Sequence, residues 1–334
     1  IGGLKYVGLN GVTTGIGPYS DTVPDLLFCA FQLMFAIITP ALITGAYAER
    51  MKFTAFVLFT LLWSTFVYFP VCHWVWGGGW LGAMGALDFA GGTVIHINSG
   101  AAALVACIVL GKRKGWGRES MHPHNLPMTI LGAGVLWFGW FGFNAGSALS
   151  AGPIAVLALF TTQVATGAGA LSWVLAEWKI QGKPTTLGAA SGAVAGLVAI
   201  TPGAGFVSPI SAIIIGLVGG ALCYMAVLMK SKLGYDDALD VVGVHGVGGL
   251  WGALATGLFA SVAWNPGGAD GLFFGNPHQL LVQAIGAGAT IAYSMIVTFI
   301  ILKAIDAMIG LRATLEDEVQ GLDITDHKEV GYSL

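Results

Sequence analysis

The segment "DFAGGTVIHINSG", residues 88–100, begins with an acid and carries a histidine in the middle of an apolar run. Asp88 opens the segment, and His96 follows eight positions later. A polar group in a lipid-buried helix is costly unless it is hydrogen-bonded, and an ionisable group there commonly has a function. For His96 alone, a hydrogen-bonded packing role and a functional role both remain open.

The same spacing recurs in the second half of the chain. In "DDALDVVGVHGVGGLWGAL", residues 236–254, His245 follows Asp237 by eight positions. Small residues stand three, four and seven positions after each histidine: Ser99, Gly100, Ala103, Gly248, Gly249 and Gly252. Because these offsets share one face of a helix, each histidine can approach a neighbouring helix closely, including that of the other histidine. The match favours a functional pair over two unrelated packing residues.

The composition is that of a polytopic membrane protein. Of 334 residues, 56% are hydrophobic and 9% are charged, and the mean hydropathy is +0.80. In soluble domains, about a quarter of all residues are charged. The net charge of −3 and the lack of a long basic run predict no nucleic-acid partner. The four cysteines lie in apolar segments without CxxC spacing, which favours neither disulfides nor a zinc site.

Nine apolar segments are about as long as, or longer than, the roughly 20 residues that a helix needs to cross a bilayer core. They are 24–48, 53–76, 89–111, 125–149, 153–178, 185–203, 208–230, 239–263 and 277–311. The sequence therefore predicts an all-α integral membrane protein, a polytopic helical bundle with nine spans.

Positive charge is distributed unequally between the ends of these segments. Apart from Lys5, every lysine and arginine lies near or beyond the C-terminal end of an odd-numbered segment. The alternate connections contain neither residue: 77–87, 150–152, 204–207 and 264–276. The positive-inside rule then places the odd-numbered ends in the cytoplasm and the start of the chain outside. The segments of His96 and His245 run in opposite directions, which indicates inverted repeats with a site near the membrane midplane, as in many transporters.

The predicted topology gathers a second set of residues near the outer interface. They are Phe31, Phe35, Trp76, Asp88, Phe143 and Ser147. Aromatic belts are ordinary at membrane surfaces. Aromatic rings near a hydroxyl and a carboxylate can also form a cation–π cage for a small cation. Spacing alone leaves both interpretations open.

Seven motifs resemble the ammonium transporters of the Amt/MEP/Rh superfamily, in its Amt branch, over essentially the whole chain. They are "FQLMFAIITPALITGAYAER", "HWVWGGG", "DFAGGTVIHINSG", "PHNLPM", "WFGWFGFNAGSAL", "DVVGVHGVGGLWG" and "GLRATLEDEVQGLD". The resemblance implies a transporter or channel, not an enzyme, that binds NH4+, deprotonates it and conducts NH3 with separate proton movement. It implies no cofactor.

The resemblance also implies roles for the outer residues. Phe31, Phe35, Trp76 and Ser147 resemble an external recruitment site for ammonium. Phe35 and Phe143 resemble a stacked gate beneath that site.

Four deeper residues resemble parts of the family's pore. His96 and His245 are similar to twin histidines that line a hydrophobic pore, and Trp140 to a pore-lining aromatic residue. Asp88 is similar to a buried acid that holds the vestibule structure and is implicated in deprotonation.

The resemblance further implies a homotrimer in the plasma or inner membrane, with one pore per subunit and methylammonium as a substrate analogue. Residues 1–312 are expected to form the transmembrane domain and 313–334 a cytoplasmic tail. The acidic tail is expected either to be disordered or to work with a PII-type regulatory protein. Family members have eleven spans, so we expect the sequence to be partial and to lack the first two.

Three other functions stay open on the sequence. The same fold could sense ammonium and signal. It could serve as a gas channel of the Rh type. Alternatively, His96 and His245 could ligate haem or a metal in a redox protein, although the spans supply no basic partners for haem propionates.

Overall fold

The computed structural model describes residues 2–332 and is built almost entirely of helices. Within that range, eight helices are long and apolar enough to cross a membrane, and a ninth apolar helix has 15 residues. We number them α1 to α9: Asp25–Ala46, Phe53–Ala83, Gly92–Leu110, Leu126–Ala148, Pro153–Gln181, Thr186–Ile200, Pro209–Leu233, Val242–Phe259 and Pro277–Ile309. The predicted class, a polytopic all-α membrane protein, is confirmed.

Each predicted segment corresponds to one helix, but the sixth is shorter than expected. The sequence predicted a span over 185–203, whereas α6 ends at Ile200. Residues 201–205, "TPGAG", follow it and turn the chain. Proline lacks the N–H donor that a continuing helix needs, and glycine is poorly held in a helix.

Local signals in the sequence fix many helix ends. Proline stands in the first turn of α4, α5, α7 and α9, where its missing N–H costs nothing. The side chains of Asn125, Thr185 and Ser208 accept backbone N–H bonds at the starts of α4, α6 and α7. Gly182 and Gly234 end α5 and α7 with φ of 82° and 79°, a left-handed conformation that glycine adopts without strain.

Helices α3 and α8 cross in opposite directions at a close backbone contact. A Cβ atom on Gly100 would overlap the backbone of Gly246, and one on Gly249 would lie 2.8 Å from Cβ of His96. Residue numbers therefore rise along α3 as they fall along α8. This antiparallel crossing is the arrangement that the inverted repeat predicted. It depends on the small residues that follow each histidine.

Charged side chains cluster at one end of the bundle, where α1, α3 and α7 end. Arg50 is fully buried and donates to the carbonyl oxygen of Asp236 at 2.6 Å. Arg113 pairs with the Asp236 carboxylate at 2.9 Å. Burial raises the pKa of Asp236, but the hydrogen bonds and charge of Arg113 outweigh it and hold that pKa below its usual value. Three of the ends that the positive-inside rule assigned to one side, those of α1, α3 and α7, lie together.

The polar C-terminal segment folds against this same end. Leu315–Gln320 (α10) and Leu322–His327 (α11) are short helices, and Thr314 and Asp317 form a capping box at the start of α10. Arg312 pairs with Glu318 at 2.5 Å. The backbone N–H of Phe53 donates to Asp326 at 3.1 Å.

Of the two expectations for the tail, disorder is wrong for 315–327, because local caps and an ion pair order it. The boundary residues 1 and 333–334 of the predicted domains lie outside the described residues.

Candidate functional site

The two predicted histidines meet in the middle of the bundle. Nδ1 of His96 lies 3.1 Å from Nδ1 of His245, and the ring centroids are 5.2 Å apart with an angle of 27° between the planes. Their exposed fractions are 1% and 8%. A hydrogen bond between two Nδ1 atoms requires one ring to donate and the other to accept, so neutral histidines must adopt complementary tautomers. Nε2 of His96 has no protein partner among residues 2–332.

Asp88 holds the turn that carries His96. One carboxylate oxygen accepts from the N–H groups of Gly91 and Gly92 at 2.9 and 2.6 Å. The other accepts from Thr93 and Val94 at 2.8 and 3.0 Å. These N–H groups begin α3 and have no acceptor within the helix, so a buried anion is well placed to satisfy them.

The first turn of α3 is wider than an α-helix. The N–H of His96 donates to the carbonyl oxygen of Gly91, five residues earlier, at 3.0 Å. Such π-helical turns frequently occur at functional sites. The winding and the four bonds to Asp88 together set the direction of the His96 side chain.

Asp237 is the counterpart of Asp88 in the second repeat, but it is bonded differently. Its carboxylate accepts from the N–H of Val242 at 2.7 Å, at the start of the turn that carries His245. Its second oxygen is buried without a hydrogen-bond partner in the described chain. The equal spacing in the sequence thus places each aspartate at the start of the turn that carries its histidine, and Asp237 makes fewer hydrogen bonds there than Asp88.

Three of the predicted outer residues pack around Phe35. The Phe35 ring centroid lies 4.8 Å from that of Phe31, 5.8 Å from Trp76 and 4.7 Å from Phe143. The indole N–H of Trp76 donates to the backbone carbonyl of Asp88 at 2.8 Å. Asp88 therefore anchors Trp76 through its backbone carbonyl and the turn that carries His96 through its carboxylate.

Two further rings connect the outer group to the histidines. The His96 ring centroid lies 6.0 Å from that of Phe143 and 5.4 Å from that of Trp140. Trp140 is 2% exposed and donates its indole N–H to Thr201 at 2.9 Å. Rings thus follow one another in contact from Phe31 to His245. We call this series the aromatic row: Phe31, Phe35, Phe143, Trp140, His96 and His245, with Trp76 beside Phe35.

Ser147 lies next to the outer end of this row. Its hydroxyl donates to the carbonyl oxygen of Phe143 at 2.7 Å, which leaves the lone pairs of the oxygen as acceptors. A Cβ atom on the neighbouring Gly146 would lie 3.2 Å from the ring of Phe31. All nine predicted site residues therefore belong to one connected region.

An open groove of about 700 Å³ lies beside the row, between α1 and α4, and its lining includes the exposed side chains of Met34, Leu131 and Val135. Its wall includes Phe31, Phe35, Trp140 and Phe143, and its other residues are aliphatic or glycine. The outer half of the row is thus bordered by an open apolar groove.

The haem hypothesis does not fit the histidine pair. A haem ligated on both faces needs its macrocycle between the two imidazoles, whereas the rings of His96 and His245 contact each other directly. Residues 2–332 also contain no group of three His, Cys, Asp or Glu side chains that could hold a metal ion. The donor set does not support a redox centre.

Sequence reasoning missed two buried residues at the outer end of the site. Gln283 binds the backbone of Leu87, and Gln279 binds the carbonyl oxygen of Gly85. Both glutamines lie in α9, whose apolar composition predicted a span without further role. A polar side chain within a span is the signal that could have identified them.

A series of aromatic rings ending in two buried histidines, between helices that cross in opposite directions, is typical of membrane transporters of the inverted-repeat class. The profile of the Ammonium Transporter Family matches residues 3–332. The chain is 56% identical over 333 residues to "Ammonium transporter" of Bacillus subtilis (strain 168), covering 99% of this chain and 82% of that protein. The chain belongs to the Ammonium Transporter Family and is a multi-pass membrane protein.

Solved structures agree with this assignment. The crystal structure of Candida albicans Mep2 superposes with a TM-score of 0.88 at 40% identity, over 95% of this chain and 72% of that one. A protein described as "Sensor Amt Protein" superposes with a TM-score of 0.84 at 31% identity, over 92% and 78% of the two chains. The curated relatives are named as transporters, and nothing in those names indicates catalysis.

Proposed function

We propose that the protein transports ammonium by binding NH4+ at the outer aromatic residues, deprotonating it and passing NH3 along the histidine pair. The observation that carries this proposal is the aromatic row, which runs in unbroken contact from Phe31 to His245. Rings of Phe31, Phe35 and Trp76 would attract the cation through their π faces. The hydroxyl oxygen of Ser147 would accept a hydrogen bond from it.

Deprotonation follows from the environment beneath the outer group. Phe35 and Phe143 lie 4.7 Å apart between centroids, so a solute passes only if these rings turn aside. An ion that enters the apolar interior loses its hydration, which costs far more than moving neutral NH3. K+ cannot become neutral by losing a proton, so the same passage excludes it.

Asp88 supports this step through position and charge. Both carboxylate oxygens accept two backbone N–H bonds, and its carbonyl holds Trp76. The negative charge lies below the outer group and favours arrival of a cation. We propose that Asp88 shapes the vestibule and assists deprotonation through its field.

The histidine pair would carry the released proton separately from NH3. One Nδ1 donates and the other accepts across 3.1 Å, so a proton that arrives at one ring can leave from the other after both tautomers change. NH3 has both a lone pair and N–H donors, and it can hydrogen-bond either ring as it passes.

The assembly and orientation belong to the same proposal. We expect a homotrimer in the plasma or inner membrane, with the Lys- and Arg-rich ends of the odd-numbered helices in the cytoplasm. The transmembrane part would span 1–312, and the tail from residue 313 would be cytoplasmic. Its two short helices at the charged end offer a surface for a PII-type regulator.

Charge movement in proteoliposomes tests the transport proposal. A rapid ammonium pulse is expected to produce an inward positive current, a methylammonium pulse a smaller one, and a K+ pulse none. Vesicles without protein are the control. Ammonia uptake without charge movement would favour a neutral gas channel of the Rh type. The absence of both uptake and current would contradict transport.

A sensor is the second candidate, because the likeness to the protein described as a sensor covers 92% of this chain. A sensor would bind ammonium at the outer group without turnover. Saturable ammonium binding to purified protein, combined with no uptake into vesicles, is the result that would favour it.

Replacing Trp76 with leucine is expected to raise the ammonium concentration for half-maximal current. A cation–π contact contributes about 1–2 kcal/mol in a desolvated site, which corresponds to roughly a five- to thirtyfold change. Trp76→Phe keeps a ring but loses the N–H bond to Asp88, and it should fall between wild type and Trp76→Leu. Wild-type half-saturation and selectivity in Trp76→Leu would remove the cage from the proposal.

A further inference from the structure

Helix α9 buries a line of polar side chains along one face. It contains Gln279, Gln283, Thr290, Ser294 and Thr298, each at most 4% exposed. The outer two are amides, and the inner three are hydroxyls. Amides and hydroxyls in an apolar core are costly unless bonded. The Thr290 hydroxyl has no partner in the described chain, so the partners of the other four identify what this face holds in place.

Gln283 binds the connection that leads into α3. Its side-chain oxygen accepts from the N–H of Leu87 at 2.8 Å, and its NH2 donates to the carbonyl oxygen of the same residue at 2.7 Å. The NH2 also donates to the carbonyl oxygen of Ala253 at 3.1 Å. Gln279 donates to the Gln283 oxygen at 3.3 Å. Two donors and two acceptor positions are all that a glutamine amide possesses.

The residue held in this way directly precedes Asp88. When both backbone groups of Leu87 are bonded to one amide, the peptide between Leu87 and Asp88 cannot rotate freely. That peptide determines where the Asp88 carbonyl meets Trp76 and where the carboxylate meets the start of α3. Ala253 lies in α8, two turns beyond His245. A single amide thus links the Asp88 connection to the helix of the second histidine.

We propose that Gln283 is a positioning residue for the outer ammonium site. By clamping Leu87, it fixes Asp88 so that one side of that residue holds Trp76 and the other holds the His96 turn. The inference rests on the proposed transport function, since it assigns Gln283 to the binding of NH4+ through Trp76 and Asp88. Gln283 itself does not contact the solute.

Only an amide of this length fits the four bonds. Glutamate at this position would keep an acceptor for the Leu87 N–H but would lose both donors, and its charge would be buried. Methionine has a similar shape and removes all four bonds with little change in volume. Gln283→Met is therefore the informative variant. Gln283→Glu is a second variant, which loses only the two hydrogen bonds that the amide NH2 donates.

Thr298→Val is the matched control. Thr298 lies on the same face of α9, is fully buried, and accepts a hydrogen bond from Trp63 at 2.9 Å. Its replacement leaves one buried donor without a partner, as Gln283→Met leaves the Leu87 N–H. The two positions lie about 22 Å apart along the helix at 1.5 Å per residue, so the control is remote from Asp88.

The test combines currents with amide hydrogen exchange of the intact protein in proteoliposomes. In Gln283→Met, we expect the half-saturating ammonium concentration to rise about tenfold while the maximal current falls less. Exchange in the peptide that covers residues 84–94 should accelerate. Gln283→Glu should change both quantities in the same direction, and Thr298→Val should leave both near wild type.

The outcomes separate this inference from transport itself. If wild type carries current and Gln283→Met and Gln283→Glu match Thr298→Val in half-saturation and exchange, the positioning role is wrong. If wild type shows neither current nor ammonium uptake, the transport proposal fails, and the exchange data still decide whether Gln283 holds the Asp88 connection. If neither glutamine variant folds while Thr298→Val does, hydrogen exchange of the wild-type protein decides. The backbone amide of Leu87 must then exchange among the slowest in residues 84–94. Rapid exchange of that amide overturns the clamp.

Discussion

Replacing Asp88 with alanine is expected to abolish ammonium current and to destabilise the fold. The substitution removes the acceptor of four buried N–H groups at the start of α3. Hydrogen bonds to a charged group contribute about 1.5–3 kcal/mol each and are not additive, so we expect a loss of about 3–5 kcal/mol. The thermal midpoint of unfolding and the current in the same preparation measure the two effects.

Two variants sharpen this prediction. Asp88→Asn would turn an NH2 group toward two N–H donors, so we expect it to be nearly as damaging as alanine. Asp237→Ala removes a single bond to Val242, and it should lower the unfolding midpoint less. Equal effects of Asp88→Ala and Asp237→Ala, or a wild-type current in Asp88→Ala, would show that the four-bond cap does not control the outer site.

Replacing either His96 or His245 with alanine is expected to abolish electrogenic uptake or to admit K+. The single Nδ1–Nδ1 bond disappears in both variants, and with it the proposed path for the proton. Loss of a proton-transferring group commonly costs about 10²–10⁴-fold, so we expect a fall of about 10²-fold in current. If water instead fills the space of the missing imidazole, K+ can pass with its hydration, and the variant should carry a K+ current that wild type lacks.

Cys223→Ala is a suitable packing control for the histidine variants. Cys223 is fully buried, and its sulfur contacts the carbonyl oxygen of Val244 beside the His245 turn at 3.7 Å. The substitution removes one buried atom near the pair and leaves every ring of the aromatic row unchanged. If His96→Ala and His245→Ala both retained wild-type currents and K+ exclusion, as the control should, the pair would have no part in transport.

Features with a strong periodic or charge signal could be predicted from the sequence. The eight-residue spacing before His96 and His245 and the unequal distribution of lysine and arginine were sufficient to predict an inverted repeat. The small residues after each histidine predicted a close helix contact, which Gly100 and Gly249 provide. Each of these signals lies in neighbouring residues, so one sequence is enough to reveal it.

Features that depend on distant partners could not be predicted. Gln283 and Leu87 are 196 positions apart, and nothing near either residue specifies the other. The docking of the folded tail depends on the backbone N–H of Phe53 meeting Asp326, 273 positions away, whereas composition left disorder open. The order of rings from Phe31 to His245 likewise follows from helix packing, because membrane aromatics occur widely without forming a continuous row.

The backbone contact between Gly100 and Gly246 sets how closely the helices of the two histidines lie. No side chain separates the two helices there, so the backbones that carry the imidazoles cannot approach any closer, and only rotation of the side chains brings the rings nearer together. In the proposed transport, a passing molecule would meet donors and acceptors already in place, without reorganisation of the surrounding dipoles. Under the same proposal, gating would fall to the rings of Phe35 and Phe143, while the histidine pair would serve as a fixed framework.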